Sequence, residues 1–309
     1  MPRSYRFVQV DVFTDVAFGG NQLAVFPDAA GLSDDEMLTL TRELNYSEST
    51  FVLAGSSPAT PRLKIFTPGG EIPFAGHPTI GTAFVLAQQG RWADLDEAVF
   101  EETIGPVRVR FQRDADNLII WMQHGAPQWG PIFEQRAILA QALGLDESDL
   151  ADLPAQVVST GVPFLFVPVR NLEAARRIQF DPKPLLPLFG DQPISVFTLT
   201  TETERATSTV HSRMFAPHTF AIAEDPATGG ASGPLGAYLV RYGLVPVTAK
   251  TRIVSEQGLE MGRPSFITIE VTTEGDAITD IWIGGQAVPV AEGTFWVPEA
   301  HQSGAARSQ

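Results

Sequence analysis

The chain of 309 residues is 44% apolar with 20 Phe, carries a net charge of −15 and contains no Cys. That length and apolar content suffice for one large domain or two ordinary ones around a sizeable core, and the composition is not that of a disordered chain. The acidic balance argues against nucleic acid, whose phosphates need clustered Lys and Arg, and the missing thiols exclude disulfides, thiolate metal sites and cysteine nucleophiles.

In chain order, the start "MPRSYRFVQVDVF" has no signal-peptide core, and no run is long enough to span a membrane. A cytoplasmic enzyme or binding protein with no membrane partner is the expectation. "RFVQVDVF" and "QLAVF" read as strands. Ser33 to Leu44 reads as a helix, with a Ser33/Glu36 capping box and Met37, Leu40 and Leu44 on one face. "LNYSESTFVLA" leaves that helix and enters a strand at Glu48. Alternation puts Glu48, Thr50 and Val52 on one face and Ser49, Phe51 and Leu53 on the other. A Glu48 carboxylate partly buried there would have a raised pKa and could act as a general base near neutral pH; the alternative is an ordinary surface Glu at a strand edge.

After the strand "RLKIF" comes the turn "EIPFAGH" and a helical run from Gly76 to Gly90. "VRVRF" and "LIIWM" are strands, and Gly and Pro cluster between Gln123 and Pro131, where a join between halves is expected. "AILAQALGL" is a helix ended by Gly144, and "FLFVPV" a strand. The turn "EDPATGG" then opens a second helical run, Gly229 to Gly243, before the strands "SFITIEV" and "DIWIGG" and a frayed tail at 299–309.

The two turns are the same turn. Glu71, Pro73, Gly76, Gly90 and Gly105 recur as Glu224, Pro226, Gly229, Gly243 and Gly258, every pair offset by 153 positions. Upstream, "KIFTP" is matched less closely by "RMFAP". Coincidence between Gly/Pro-rich turns is the alternative, but strand, turn, helix and strand recur in order. The reading is therefore an internal duplication giving an α+β fold of two similar lobes, each with one buried central helix. The boundaries are 1–126 and 127–288.

A helix N-terminus offers unpaired amides and the positive end of its dipole, and Gly lets a ligand approach the backbone. Two such ends facing each other, headed by Gly76 and Gly229, would hold a small carboxylate. The bland reading is that these glycines serve only turns and close packing. His77 could carry a proton or cap the helix, and Asp225 could accept from a substrate amine or hydroxyl or merely shape its turn. "GHPTIGT" has the Gly spacing of a phosphate loop but Thr82 in place of its Lys, no G-x-G-x-x-G follows a strand, and the five His residues have no metal-ligand spacing. Neither a nucleotide cofactor nor a metal is expected.

These segments resemble the phenazine-biosynthesis PhzF-like family, which has the diaminopimelate epimerase fold. The resemblance rests on "VDVFTDVAFGGNQLAVF", "ELNYSESTFV", "FTPGGEIPFAGHPTIGTAFVL", "VSTGVPFLFVPV", "RMFAP", "EDPATGGASGPLGAYLV" and "EMGRPS", in the family's order over nearly the whole chain. It implies that each lobe is a mostly antiparallel β-barrel around its helix, with the active site between them. It also implies a homodimer and a last strand near 289–298 that returns to the first lobe. The family's catalytic Glu, His and Asp fall on Glu48, His77 and Asp225. The reaction implied is a cofactor-independent double-bond migration on a small carboxylated substrate, with amides near Gly76, Thr228 and Gly229 stabilising the anion and Gly230 joining them as a substrate contact. Family members typically carry Ser after "ATG"; Gly230 stands there, with Ser232 as its possible substitute, and Tyr46 replaces a more usual Leu. The racemases and epimerases of this fold use two Cys where Ala75 and Thr228 stand, so a two-thiol mechanism is impossible in this chain. Epimerisation by non-thiol groups and carboxylate binding without catalysis are the alternative functions.

Overall fold

The computed structural model describes residues 2–114, 117–189, 195–216 and 222–299. Pro217, the end of the "RMFAP" match, and nearly all of the expected tail lie outside the described residues. The order is β1 (Arg3–Val12), β2 (Asn21–Phe26), α1 (Asp34–Leu44), β3 (Glu48–Ser57), β4 (Thr60–Thr67), β5 (Gly70–Ile72), α2 (Gly76–Gln88), β6 (Glu97–Glu102), β7 (Gly105–Asp114) and β8 (Asn117–His124). It continues with β9 (Gln128–Phe133), α3 (Arg136–Leu143), β10 (Ala155–Ser159), β11 (Pro163–Pro168), α4 (Leu172–Arg177), α5 (Leu186–Phe189), β12 (Ser195–Thr200), β13 (Val210–Ala216) and β14 (Ile222–Asp225). The last elements are α6 (Gly229–Arg241), β15 (Lys250–Gln257), β16 (Ser265–Glu274), β17 (Ala277–Gly285) and β18 (Ala287–Val297). The fold is mixed, strand-dominated and poor in helices.

All these strands belong to one hydrogen-bonded network, mostly antiparallel. β18 returns along β1, from Arg3 opposite Val297 to Val12 opposite Ala287. β17 pairs with β8, Ile281 lying opposite His124, and so ties distant parts of the chain together.

Local chemistry explains the helices. The Ser33 side chain caps α1 and the Glu36 side chain answers it, while Asn45 ends the helix in the left-handed region. Gly144 ends α3 in the same conformation. α2 and α6 are different in kind. Each has 13 residues and is buried along nearly its whole length, so apolar packing, not an amphipathic face, holds it. Ile80, Phe84, Val85 and Leu86 of α2 and Leu235, Tyr238 and Leu239 of α6 enter one continuous core. Fully burying a side chain of this size contributes about 1.5–3 kcal/mol.

Positions offset by 153 share some local features. Thr79 donates to the Ala75 carbonyl one turn back in α2, and Ser232 donates to the Thr228 carbonyl at the matching place in α6. Gly105 and Gly258 both take positive φ, 125° and 76°, which favours Gly at each. Two satellite cores complete the packing: one under α1, where Phe26 stacks on Phe51 and Phe66 meets Phe51 edge-on, and one around α3 and α4.

Candidate active site

α2 and α6 meet head to head. A Cβ on Gly76 would lie 2.5 Å from the Gly229 backbone, and one on Gly229 would lie 2.8 Å from the Gly76 Cα. Only two glycines allow backbones this close. Neither helix is capped by the side chain of its own preceding residue, Ala75 or Thr228. The paired N-termini therefore bring two positive dipole ends to one place.

Beside them lies a narrow recess of about 40 Å³. Glu48, Ala75, Gly76, His77, Asp225, Thr228, Gly229 and Gly230 form its polar side, and Ile72, Phe74, Val162, Phe164, Met214 and Ile222 its apolar side. All but one of the site residues expected from sequence come together here. The exception is Ser232, which is fully buried on α6, bonds within its own helix and does not line the recess. It therefore cannot stand in for the Ser that Gly230 replaces. A second correction concerns the Thr228 amide, expected to face substrate. It donates to Gln257 Oε1 at 3.1 Å and is already satisfied. Tyr46 lines an adjoining recess with Asn21, Met261 and Arg263, its hydroxyl donating to Gln9.

Glu48 is the first residue of β3 and only 7% exposed. The alternation expected of that strand is seen: Thr50 bonds Thr82 of α2, while Phe51 packs under α1. Burial pushes the Glu48 carboxyl up to about 8, the Asp225 charge adds to the rise, and a hydrogen bond from Ser47 opposes it. Its Oε2 has no hydrogen-bond partner among the described residues. His77 Nε2 stands 3.3 Å away and is equally unpartnered. At that distance charged groups would form an ion pair. Burial instead pushes His77 down to about 3, so near neutrality the pair is an uncharged imidazole beside a protonated carboxyl.

Asp225 is the contrast. Burial raises it as well, but Thr228 Oγ1 donates to its Oδ2 at 2.6 Å and Asn21 Nδ2 to its Oδ1 at 2.8 Å, and both bonds favour the anion. The net effect of burial still raises Asp225, to about 6 against about 8 for Glu48, so Asp225 is the one that ionises first. Asn21 also donates to the Ala227 carbonyl, and its Oδ1 accepts from Ser47. Sequence reasoning missed Asn21, Gln257 and Phe164. Asn21 stood inside a quoted motif, but nothing local marks its partner 204 positions away.

The chain is similar to known proteins over nearly its whole length. The profile of the family described as "Phenazine biosynthesis-like protein" matches residues 10–293. An uncharacterized isomerase of Mesorhizobium japonicum is 37% identical over 94% of this chain and 98% of its own length. The trans-2,3-dihydro-3-hydroxyanthranilate isomerase of Pseudomonas aeruginosa is 34% identical over 95% of this chain and 100% of its own. The crystal structure of a Bacillus anthracis phenazine biosynthesis protein of the PhzF family superposes with a TM-score of 0.88 at 28% identity, covering 96% of this chain and 100% of that one. The chain therefore belongs to the phenazine biosynthesis-like protein family, and it is an isomerase.

Proposed function

We propose that the chain moves a double bond in a small, conjugated carboxylic acid, with Glu48 taking a proton from one carbon and returning it at another. The observation that carries this reading is the buried Glu48 carboxyl, whose Oε2 has no hydrogen-bond partner among the described residues, lining the same recess as the two helix heads. The substrate carboxylate binds at those heads, where first-turn amides and both dipoles favour an anion. The Glu48 carboxylate removes a proton from a carbon conjugated to that carboxylate, and the electron pair delocalises toward the heads. Protonated Glu48 then donates to the distant carbon and is regenerated as the base. No net oxidation occurs. Asp225 accepts from a substrate amine or hydroxyl, and uncharged His77 fixes the position of the Glu48 carboxyl. The surrounding network is read as two duplicated lobes, 1–126 with the returning β18, and 127–288, each curling around its own helix.

The first substrate to test is trans-2,3-dihydro-3-hydroxyanthranilate, which the Pseudomonas aeruginosa relative is named for. Mass spectrometry and NMR of the product decide the reading: a shifted double bond supports it, and an unshifted bond with an inverted centre replaces it with epimerisation. That second reading draws on Glu48 and Asp225, both of which line the recess.

Gly230 bears on the choice of substrate. A Cβ there would meet only the Phe164 ring, at 3.8 Å, an ordinary contact. Gly230→Ser is therefore expected to fold, with stability within about 1 kcal/mol of wild type, since Ser is a somewhat better helix former than Gly. It should change the Michaelis constant for hydroxylated acids more than the melting temperature. Thermal denaturation beside steady-state kinetics checks both.

A further inference from the structure

Gln257, the last residue of β15, is fully buried, and all three of its amide hydrogen bonds go to the Asp225–Thr228 turn. Its Oε1 accepts from the Thr228 amide at 3.1 Å. That bond fixes which way the amide faces, so Nε2 donates to the Asp225 carbonyl at 2.7 Å and to Thr228 Oγ1 at 2.9 Å. The Thr228 hydroxyl oxygen, being an acceptor for Gln257, has its own proton left to give. The acceptor within reach of that proton is Asp225 Oδ2 at 2.6 Å.

We propose that Gln257 is a positioning residue for proton transfer, which by donating to the Thr228 hydroxyl directs that hydroxyl onto Asp225 and keeps Asp225 the anionic member of the carboxylate pair. The proposal rests on the reading of Glu48 as the proton-transfer group. Protonating Asp225 at Oδ2 would turn the Thr228 hydroxyl away from its acceptor and strand a buried O–H, a state that the Gln257 bond disfavours. Asn21 closes the other side by donating to Oδ1. The groups facing Asp225 are Glu48 of β3, His77 of α2, and Glu224 beside it, whose charge is taken up by Arg213 of β13 in a two-pronged pair at 2.7 and 2.9 Å. The Asp225 charge therefore bears chiefly on Glu48. Hydrogen bonds link Gln257 to Thr228 and Thr228 to Asp225, which lines the same recess as the reacting carboxyl.

The test uses the unliganded full-length protein, so that it does not depend on the substrate. Infrared titration follows the carboxyl C=O band of Glu48, identified by its loss in Glu48→Gln. Asp225→Asn gives the full downward shift of the midpoint. Gln257→Leu, and independently Thr228→Val, are expected to move it in the same direction by about one pH unit, roughly tenfold in the acid constant. Thr228→Ser, which keeps the hydroxyl, should leave the midpoint at the wild-type value. An unmoved midpoint in folded Gln257→Leu or Thr228→Val overturns the proposal, as does a shift that Thr228→Ser reproduces. Should Gln257→Leu not fold, Thr228→Val carries the test. Shifts as expected in a protein that exchanges no substrate proton would leave the clamp standing and remove the reading of Glu48 as the proton-transfer group. Exchange without the shifts would remove the clamp alone.

Discussion

Glu48→Gln is expected to lower turnover by about 10²–10⁴-fold, the usual contribution of a positioned acid–base group, and at the same time to stabilise the fold above neutral pH. The two effects have one cause. The native Glu48 carboxyl binds a proton up to about pH 8 because it is buried beside Asp225, whereas in the unfolded chain it releases that proton near the ordinary value of 4.5. For a group raised on folding, its contribution to stability is fully present below the unfolded value and is lost as pH rises through the folded one. Wild type therefore weakens progressively between about pH 4.5 and 8 on this account, by a few kcal/mol in total, while Gln, which cannot ionise, does not. Denaturant unfolding at pH 5 and pH 9 should show the variant gaining on wild type only at the higher pH. Activity runs the other way. The base that starts the reaction is the ionised minority form at neutral pH, so kcat/KM should climb with pH, pass its half-maximum near 8 and level off only above that. A flat profile from pH 5.5 to 9, or equal stability at both pH values, would contradict the assignment.

The second large effect is at the helix heads. Gly76→Ala or Gly229→Ala would place a Cβ 2.5 or 2.8 Å from backbone atoms of the opposing helix, and no side-chain rotation relieves a contact with backbone. The heads must separate. Overpacking of this kind costs about 1–3 kcal/mol, and a displacement near 1 Å at the binding end costs about 10²-fold in turnover. Gly230→Ala is the internal control. Its Cβ has the 3.8 Å contact with Phe164 and nothing closer, so it should fold normally and keep its melting temperature within a few degrees. Melting curves that rank Gly230→Ala with the other two would mean that the heads tolerate separation.

The parts of the fold legible in the sequence are those with local signatures. The capping box of α1, the Gly144 stop of α3 and the offset of 153 positions each need only neighbours or self-comparison. β13 was legible only at its end, where "RMFA" matches "KIFT" through the repeat, and its start was hidden for the opposite reason. "VHSRMFA" carries His211, Ser212 and Arg213, yet every residue in it is buried. His211 lies between Glu256 and Glu260, Ser212 bonds Ser255, and Arg213 pairs with Glu224, and partners that far along the chain leave no periodic trace. The short helices α4 and α5 went unread because each spans too few residues to show a helical period. At the site, residue types beside the repeated turns pointed to His77 and Asp225, while Glu48 rested on its place at a strand start and on the family resemblance. Hydrogen-bond direction did not follow from type, which is why the Thr228 amide and the Ser232 hydroxyl were assigned to a ligand when Gln257 and the helix itself hold them.

Proton exchange between solvent and a bound acid addresses the central claim without requiring a completed reaction. Wild type and Glu48→Gln are incubated in heavy water with trans-2,3-dihydro-3-hydroxyanthranilate and a panel of small unsaturated acids, and deuterium is read by mass spectrometry. The account predicts incorporation at carbon by wild type and none above background by Glu48→Gln. Equal incorporation by both proteins would contradict it.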